Sequence, residues 1–330
     1  MDVLIVSLGS TAGLRHADAE LAGALERAGA RVQIAAAEPP RPLRTLALTD
    51  LAWALAARRA AQRALAGDAG GVAVIYSTTT AALLWPRPGA IRFDATAAAN
   101  RGGRHGIWQR PLERRRLVEA PLLLPWSEGA LRGAPGGHAD AIVVPVPVET
   151  SGPPAAKRDI AAITYAANPH KKGLDRVLSA WQRAHRKGEE LVVAGLDEVP
   201  EQAGVRCVGR LGRDEYRALL RRSRVFICAP RREDHGIAQL EALCDGCMLV
   251  TTPANGPYVA LELARRLDDR LVGEELAPAI RAALDEPRPT YAAAAADALA
   301  PIARASVDRI VAAELLPRLE PFGGPGNHLG

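Results

Sequence analysis

The sequence predicts an α/β protein built from two doubly wound halves of similar size. Three observations carry this. Short continuous apolar runs rich in β-branched residues recur along the 330-residue chain, each bounded by turn residues. Segments with helical spacing of apolar residues lie between them, the alternation that builds parallel sheets. The alternation is interrupted once, at 147–158 (PVETSGPPAAKR), where Pro, Gly, Ser and charge cluster without a period and read as a linker. The halves are therefore set at 1–148 and 149–302. Such a pair is expected to form a central cleft at the carboxyl ends of both sheets, where open α/β folds bind ligands.

The elements follow in order. Residues 3–8 (VLIVSL) are a strand, 9–13 (GSTAG) a glycine-rich turn, and 17–28 a helix with Leu21, Leu25 and Ala28 on one stripe. Residues 31–34 are a strand and 46–66 a long alanine-rich helix; 72–76, 90–93, 122–125 and 141–146 are further strands. After the linker, strands are predicted at 160–165, 191–194 (ending at Gly195), 205–208, 225–228 and 248–251. Helices are predicted at 173–185, 213–222, 236–244 and 259–266. The tail reads as helices at 291–300 and 303–315, interrupted by Pro301, then a loose segment from Phe322.

Composition narrows the function classes. A hydrophobic content of 48% with 24% charged residues is that of a globular protein and excludes global disorder. The net charge of +5 suits an anionic partner. Four cysteines are too few for a disulfide scaffold in a chain this long and point to a reducing compartment. No apolar stretch reaches the roughly 18–20 residues of a membrane span, and Asp2 stands where a secretory signal needs positive charge. A cytoplasmic location is expected, with peripheral contact at the inner face of the membrane.

The most specific stretch is 232–246 (REDHGIAQLEALCDG). Glu233 falls in a loop after a strand, and Glu241, eight residues on, falls two turns into the next helix. Gly236 opens that helix, whose free N–H groups attract phosphate at Ile237. A carboxylate before the helix can bond sugar hydroxyls, and one within it can accept from a ribose. Two glutamates at this spacing also occur on capped surface helices, so spacing alone leaves both readings open. The stretch resembles the signature of retaining glycosyltransferases of family 4, with the GT-B fold of two Rossmann-like domains. Their pattern of Glu, seven residues, Glu, then Ala-[Leu/Met]-x-x-Gly is matched by Glu233, Gly236, Glu241, Ala242, Leu243 and Gly246. His235 takes the place of the family's usual aromatic.

A second match is 168–175 (NPHKKGLD), where the resemblance implies that Lys172, with Lys171 as backup, contacts the donor diphosphate. The family's arginine at the end of the preceding strand is missing, since no arginine lies between Arg158 and Arg176. In the first half, Gly9 and Gly13 resemble the family's first glycine-rich loop. Asp94 falls near the place of the family's histidine, and His16 and His105 are further candidates. Between Arg87 and Arg116 lie eight arginines and two acids, a basic segment with Arg101, Arg104 and His105 on an apparent mobile loop and with Trp108 and Trp126 nearby. It suits an anionic acceptor or lipid headgroups, or is simply a solvated face. No nucleic-acid-binding motif accompanies it. Cys244 and Cys247 form a single CxxC pair, half a zinc site, and read as structural.

The resemblance implies transfer of a hexosyl group, with retention and without metal or other cofactor, from a UDP- or GDP-linked sugar to an acceptor hydroxyl on a lipid, glycan or small metabolite. Lys172, Glu233 and Asp94 would be catalytic. Gly9, Gly13, Lys171, Gly195, His235, Gly236, Ile237 and Glu241 would hold the donor. A final helix at about 303–330 would return to the first domain, and the protein would be a monomer or homodimer. The alternatives are a catalytically inactive nucleotide-sugar-binding relative, or an inverting GT-B transferase or sugar-nucleotide epimerase.

Overall fold

The computed structural model of the protein describes residues 1–323 except 42, 69 and 154. The chain divides into two compact units, one of Met1–Pro147 with the chain from Arg304 onward, the other of Val148–Ala303.

Unit 1 holds a six-stranded parallel sheet. Its strands are β1 (Asp2–Ser7), β2 (Arg31–Ala36), β3 (Val72–Tyr76), β4 (Ala90–Phe93), β5 (Leu122–Pro125) and β6 (Asp140–Ala141), in the order β2-β1-β3-β4-β5-β6. Both faces are covered, which is why the strands read as unbroken apolar runs. Val3, Ile5, Ala73 and Ile75 pack on one face against Leu21 and Leu25 and against Val307, Val311 and Leu315 of the C-terminal helices. Leu4, Val6, Val74 and Tyr76 pack on the other, against Ala57, Ala61 and Leu117. Arg27 forms a two-bond pair with Asp308 (2.8 and 2.7 Å), and Arg304 bonds Glu20 at 2.6 Å.

The first helix runs over Ala12–Arg27, starting five residues before the expected 17. The Thr11 hydroxyl accepts from the Leu14 N–H at 3.2 Å and so fixes the start, which places Gly13 inside the first turn rather than in a loop. Replacing Thr11 by alanine is expected to cost about 1 kcal/mol. The melting temperature should fall by roughly 2–4 °C, which calorimetry would show; an unchanged value would mean the cap contributes nothing. The strand expected at 141–146 shrinks to β6, because Pro145 and Pro147 have no N–H to donate. Its ladder continues only through Ile142 and Val144, which donate to Leu123 and Pro125 at 2.9 Å each.

Unit 2 holds a five-stranded parallel sheet of β7 (Ile160–Tyr165), β8 (Leu191–Ala194), β9 (Val205–Cys207), β10 (Ser223–Cys228) and β11 (Met248–Thr251). The order is β11-β10-β7-β8-β9. The chain leaves β7 toward one edge and returns at β10 toward the other. The strand order therefore reverses between β7 and β10, the place where open α/β sheets hold ligands beyond their carboxyl ends. Trp181 is fully buried in the core, its indole N–H bonded to the Gly204 carbonyl at 2.9 Å. The helix Leu276–Asp285 was not expected. The predicted linker is tied down at its start and end. Asp245 accepts from the Ser151 N–H at 2.8 Å, Arg217 donates to the Glu149 carbonyl at 2.6 Å, and Arg158 donates to the Ser223 and Asp245 carbonyls.

Candidate functional site

The segments leaving β7 and β10 meet at the reversal point of unit 2. After β7, the Asn168 side chain accepts from the Lys171 N–H at 2.9 Å and caps a short helix, Pro169–Lys172. Gly173 ends it at φ 64° and starts the longer helix Leu174–Ala184, where one helix over 173–185 was expected. A Cβ on Gly173 would lie 1.9 Å from the Ala229 carbonyl oxygen, so only glycine lets this turn approach the end of β10 so closely. The Arg231 N–H then bonds the Lys171 carbonyl at 3.0 Å and joins the two segments.

After β10, the Glu233 N–H bonds the Asn255 carbonyl at 3.0 Å, and Gly236 caps the helix Ile237–Cys244. A Cβ on Gly236 would press on the Tyr258 ring at 3.0 Å. Leu240 is the first residue to bond back along this helix, to the Gly236 carbonyl at 2.9 Å. The N–H groups before it point out of the helix start and favour negative charge there.

The side chains at this point form one charged cluster. The Lys172 ammonium donates to Glu233 Oε2. Gln239 donates to the same oxygen at 3.2 Å and to the Tyr258 hydroxyl at 3.3 Å, and that hydroxyl lies 2.8 Å from Thr251 Oγ1. Burial pushes the Glu233 carboxyl up, but the Lys172 charge and hydrogen bond, with Lys171 and Gln239, outweigh it and hold the group below its ordinary value. Lys171 lies 3.5 Å from Asp234, and Arg232 bonds Asp234 at 2.5 Å. Three cations thus face two carboxylates beside a helix N-terminus, which leaves a net positive field suited to an anion. His235, buried between them in sequence, is 4% exposed.

Glu241 is also buried, but it is the fifth residue of its helix, one turn in rather than two. Arg213 Nη2 lies 2.8 Å and Arg217 Nη1 3.7 Å from its Oε1. Burial pushes its carboxyl above the ordinary value against the pull of those two arginines. Arg217 also holds Asp245 at 2.6 Å. Tyr165, at the end of β7 where the resemblance lacks its arginine, packs on Tyr216 with ring centroids 5.3 Å apart. Gly195 directly follows β8 and donates to the Gly209 carbonyl at 2.8 Å.

Lys171, Lys172, Glu233, His235, Gly236 and Ile237 are thus brought together, with Glu241 one helical turn on. Gly9, Gly13, Asp94, Arg101, Arg104 and His105 lie in unit 1. There Gly9 follows β1, its carbonyl accepting from Arg15 at 2.8 Å, and Asp94 follows β4, half-buried. His16 lies 3.8 Å from Glu20.

Half of the eight arginines of the basic segment are buried or partly buried, and Arg104, Arg110, Arg114 and Arg115 are exposed. Arg101 pairs with the buried Asp50 through two bonds of 2.7 and 3.0 Å. Gly103–Gly106 is a 3-10 helix rather than a loop, with Arg104 and His105 exposed. Arg92 is fully buried beside Asp18 and over the Trp126 ring, 4.8 Å from its centroid, and Trp126 itself is 3% exposed. Neither can meet a membrane. Cys247 is buried, its thiol donating to the Leu220 carbonyl at 3.1 Å and pushed up to about 12 by burial, which suits a structural thiol. Among the described residues, no group of three His, Cys, Asp or Glu side chains is placed to hold a metal.

Sequence reasoning missed Gln239, Arg213, Arg217, Arg232 and Tyr258. Gln239 lies six residues after Glu233, a separation with no meaning until the helix begins at Ile237. The arginine partners of Glu241 come from a separate helix, Arg213–Arg222, and no local spacing announces them.

Comparison with known proteins gives two kinds of likeness. Residues 158–286 match the family described as Glycosyl transferases group 1, a little over a third of the chain. No curated protein sequence matches. Among solved structures, sucrose-phosphate synthase from Thermosynechococcus elongatus superimposes with a TM-score of 0.72 at 13% identity, covering 96% of this chain and 98% of that one. HepE from Anabaena in complex with UDP gives 0.70 at 13% identity, covering 96% and 99%. WaaG, a glycosyltransferase involved in lipopolysaccharide biosynthesis, gives 0.67 at 15% identity, covering 94% and 99%. The fold is that of GT-B glycosyltransferases.

Proposed function

We propose that the protein is a glycosyltransferase that moves a hexosyl group, with retention of configuration, from a UDP- or GDP-linked sugar to an acceptor hydroxyl. The observation that carries this reading is the Lys172–Glu233 pair at the strand-order reversal, beside the helix that starts at Gly236. The family match over 158–286 and the UDP in the HepE structure support it.

In this reading the leaving group is a nucleoside diphosphate, and its developing negative charge is the chemical obstacle. Lys172 releases Glu233 and turns to the diphosphate, with Lys171 behind it. The N–H groups at Gly236 and Ile237 supply the remaining stabilisation, already oriented before reaction. Glu233, freed from Lys172, accepts hydrogen bonds from sugar hydroxyls, and Gln239 keeps hold of one of its oxygens. Glu241 accepts from the ribose, with Arg213 yielding place. The acceptor proton passes to a donor phosphate oxygen, so no protein nucleophile and no metal is required. Unit 1 receives the acceptor, with Gly9, Gly13 and Asp94 its candidate residues, and the acceptor is a lipid, a glycan or a small metabolite. The protein works in the cytoplasm as a monomer or homodimer.

A thermal-shift panel of UDP- and GDP-linked sugars tests the reading, followed by a release assay with the best binder. Glu241→Ala is expected to weaken nucleotide affinity by about 10- to 100-fold, the worth of hydrogen bonds to a charged group. Unchanged affinity would remove the ribose role. A second reading, a nucleotide-sugar-binding protein without transfer, is favoured by Tyr165 standing where the resemblance has an arginine. Nucleoside diphosphate released in the presence of acceptor separates the two.

A further inference from the structure

Seven large apolar side chains stand exposed among the described residues, and four of them lie in one part of unit 1. Leu43, Leu46 and Leu48 are 45–50% exposed at the start of the helix Leu46–Ala64, and Ile107 is 70% exposed after the 3-10 helix Gly103–Gly106. The two stretches touch, because the Trp108 indole N–H donates to the Ala47 carbonyl at 3.2 Å. Ile107 also lines a groove of about 540 Å³, walled by Pro111, Leu117 and Pro135 with Arg110 and Arg114 among its lining residues. An apolar surface of this kind on a soluble fold marks an interaction site.

The exposed charged side chains within 40–50 and 101–118 are all basic. Arg44, Arg104 and Arg114 are exposed, and His105 is exposed next to Arg104 in the chain. The carboxylates within 40–50 and 101–118 are Asp50 and Glu113, and both are buried. Asp50 is held by Arg101, and Glu113, at the groove floor, accepts from the Ala97 N–H at 2.6 Å. A second copy of this face would bring arginine against arginine. An apolar centre with a cationic rim complements acyl chains beneath anionic headgroups.

We propose that this face of unit 1 docks on a bilayer containing acidic lipids, with Ile107 and the Leu46–Leu48 turn entering the headgroup boundary and Arg104 and Arg114 meeting lipid phosphates. The proposal is independent of the donor site, which belongs to unit 2.

Co-sedimentation of the full chain with vesicles tests it. Phosphatidylcholine vesicles carrying about 30 mol% phosphatidylglycerol should bring the protein down, and pure phosphatidylcholine should not. Raising salt to about 0.5 M should release it. Ile107→Asp and Arg104→Glu should each lower partitioning about tenfold. Ile34→Asp, at another exposed apolar site (43%) on the edge strand β2, should leave it unchanged. Circular dichroism confirms folding, and Arg104→Glu, on an exposed side chain, decides the matter if Ile107→Asp does not fold. The proposal is overturned if acidic vesicles bind nothing, if the two variants bind as well as the parent, or if Ile34→Asp loses as much. Self-association or capture of an acidic protein through this face, without vesicle binding, overturns it too.

Discussion

Replacing Lys172 by alanine is expected to lower kcat for sugar transfer by about 10²–10³, the loss typical of one preorganised donor to a developing anion. KM for the nucleotide-sugar should change less, because in the proposed reading Glu241, one helical turn from the cluster, holds the ribose independently of Lys172. The substitution also acts on Glu233. That carboxyl is buried and is held below its ordinary value by Lys172. With its folded value depressed, the ion pair adds stability above about pH 4.5, the ordinary glutamate value, and that contribution is lost as pH falls through the depressed value. In Lys172→Ala burial acts with less opposition and the carboxyl rises. The variant should then lose less stability than the parent between neutral pH and about pH 4. Melting curves across that window, with kcat and KM at neutral pH, distinguish an electrostatic role from simple unfolding. A variant with normal kcat and the parent's acid response would show that Lys172 does neither job.

Gly173→Ala is expected to be the most destabilising single-methyl change in unit 2. The new Cβ would overlap the Ala229 carbonyl oxygen at 1.9 Å, and φ 64° disfavours any L side chain. Backbone at the ends of β7 and β10 must separate, at a cost of about 3–5 kcal/mol. The melting temperature should fall by roughly 10 °C. Lys172 precedes this glycine, so transfer should fail even in the folded fraction. Gly188→Ala is the control: it also has positive φ but open space around it, and should cost only about 1 kcal/mol. Equal losses at the two positions would mean that close approach to Ala229 is not what Gly173 provides.

Much of the fold is legible in the sequence because a parallel sheet buried on both faces needs unbroken apolar strands. VLIVS, VAVIY and MLVT can hardly be anything else, and their strands run Asp2–Ser7, Val72–Tyr76 and Met248–Thr251. Ends set by hydrogen bonding were less legible. Thr11 starts its helix early by capping it, and Pro145 and Pro147 end a ladder that an apolar run seemed to extend. The helix Leu276–Asp285 carries Pro278 near its start, where the first turn tolerates it, and a proline reads as punctuation without that context. In the candidate site, the resemblance to a known family, carried by residue type and spacing, pointed to Lys172 and Glu233. That they touch follows from topology, since they are 61 residues apart and meet where the strand order reverses. The basic segment was legible only in part, because composition counts charges and not exposure. Arg92 is buried, Arg101 is held by Asp50, and Arg116 bonds Glu119 and covers the Trp85 ring. The apolar contribution of Ile107 and the Leu46–Leu48 turn has no sequence signal at all, because exposed leucines look like core ones.

A crystal of the protein soaked with its best-binding nucleotide-sugar would show directly where the donor diphosphate lies. A diphosphate is expected within hydrogen-bonding distance of Lys172 Nζ and of the N–H groups at Gly236 and Ile237, with the Lys172–Glu233 bond broken. A bound donor whose phosphates lie elsewhere, with Lys172 still on Glu233, would contradict this.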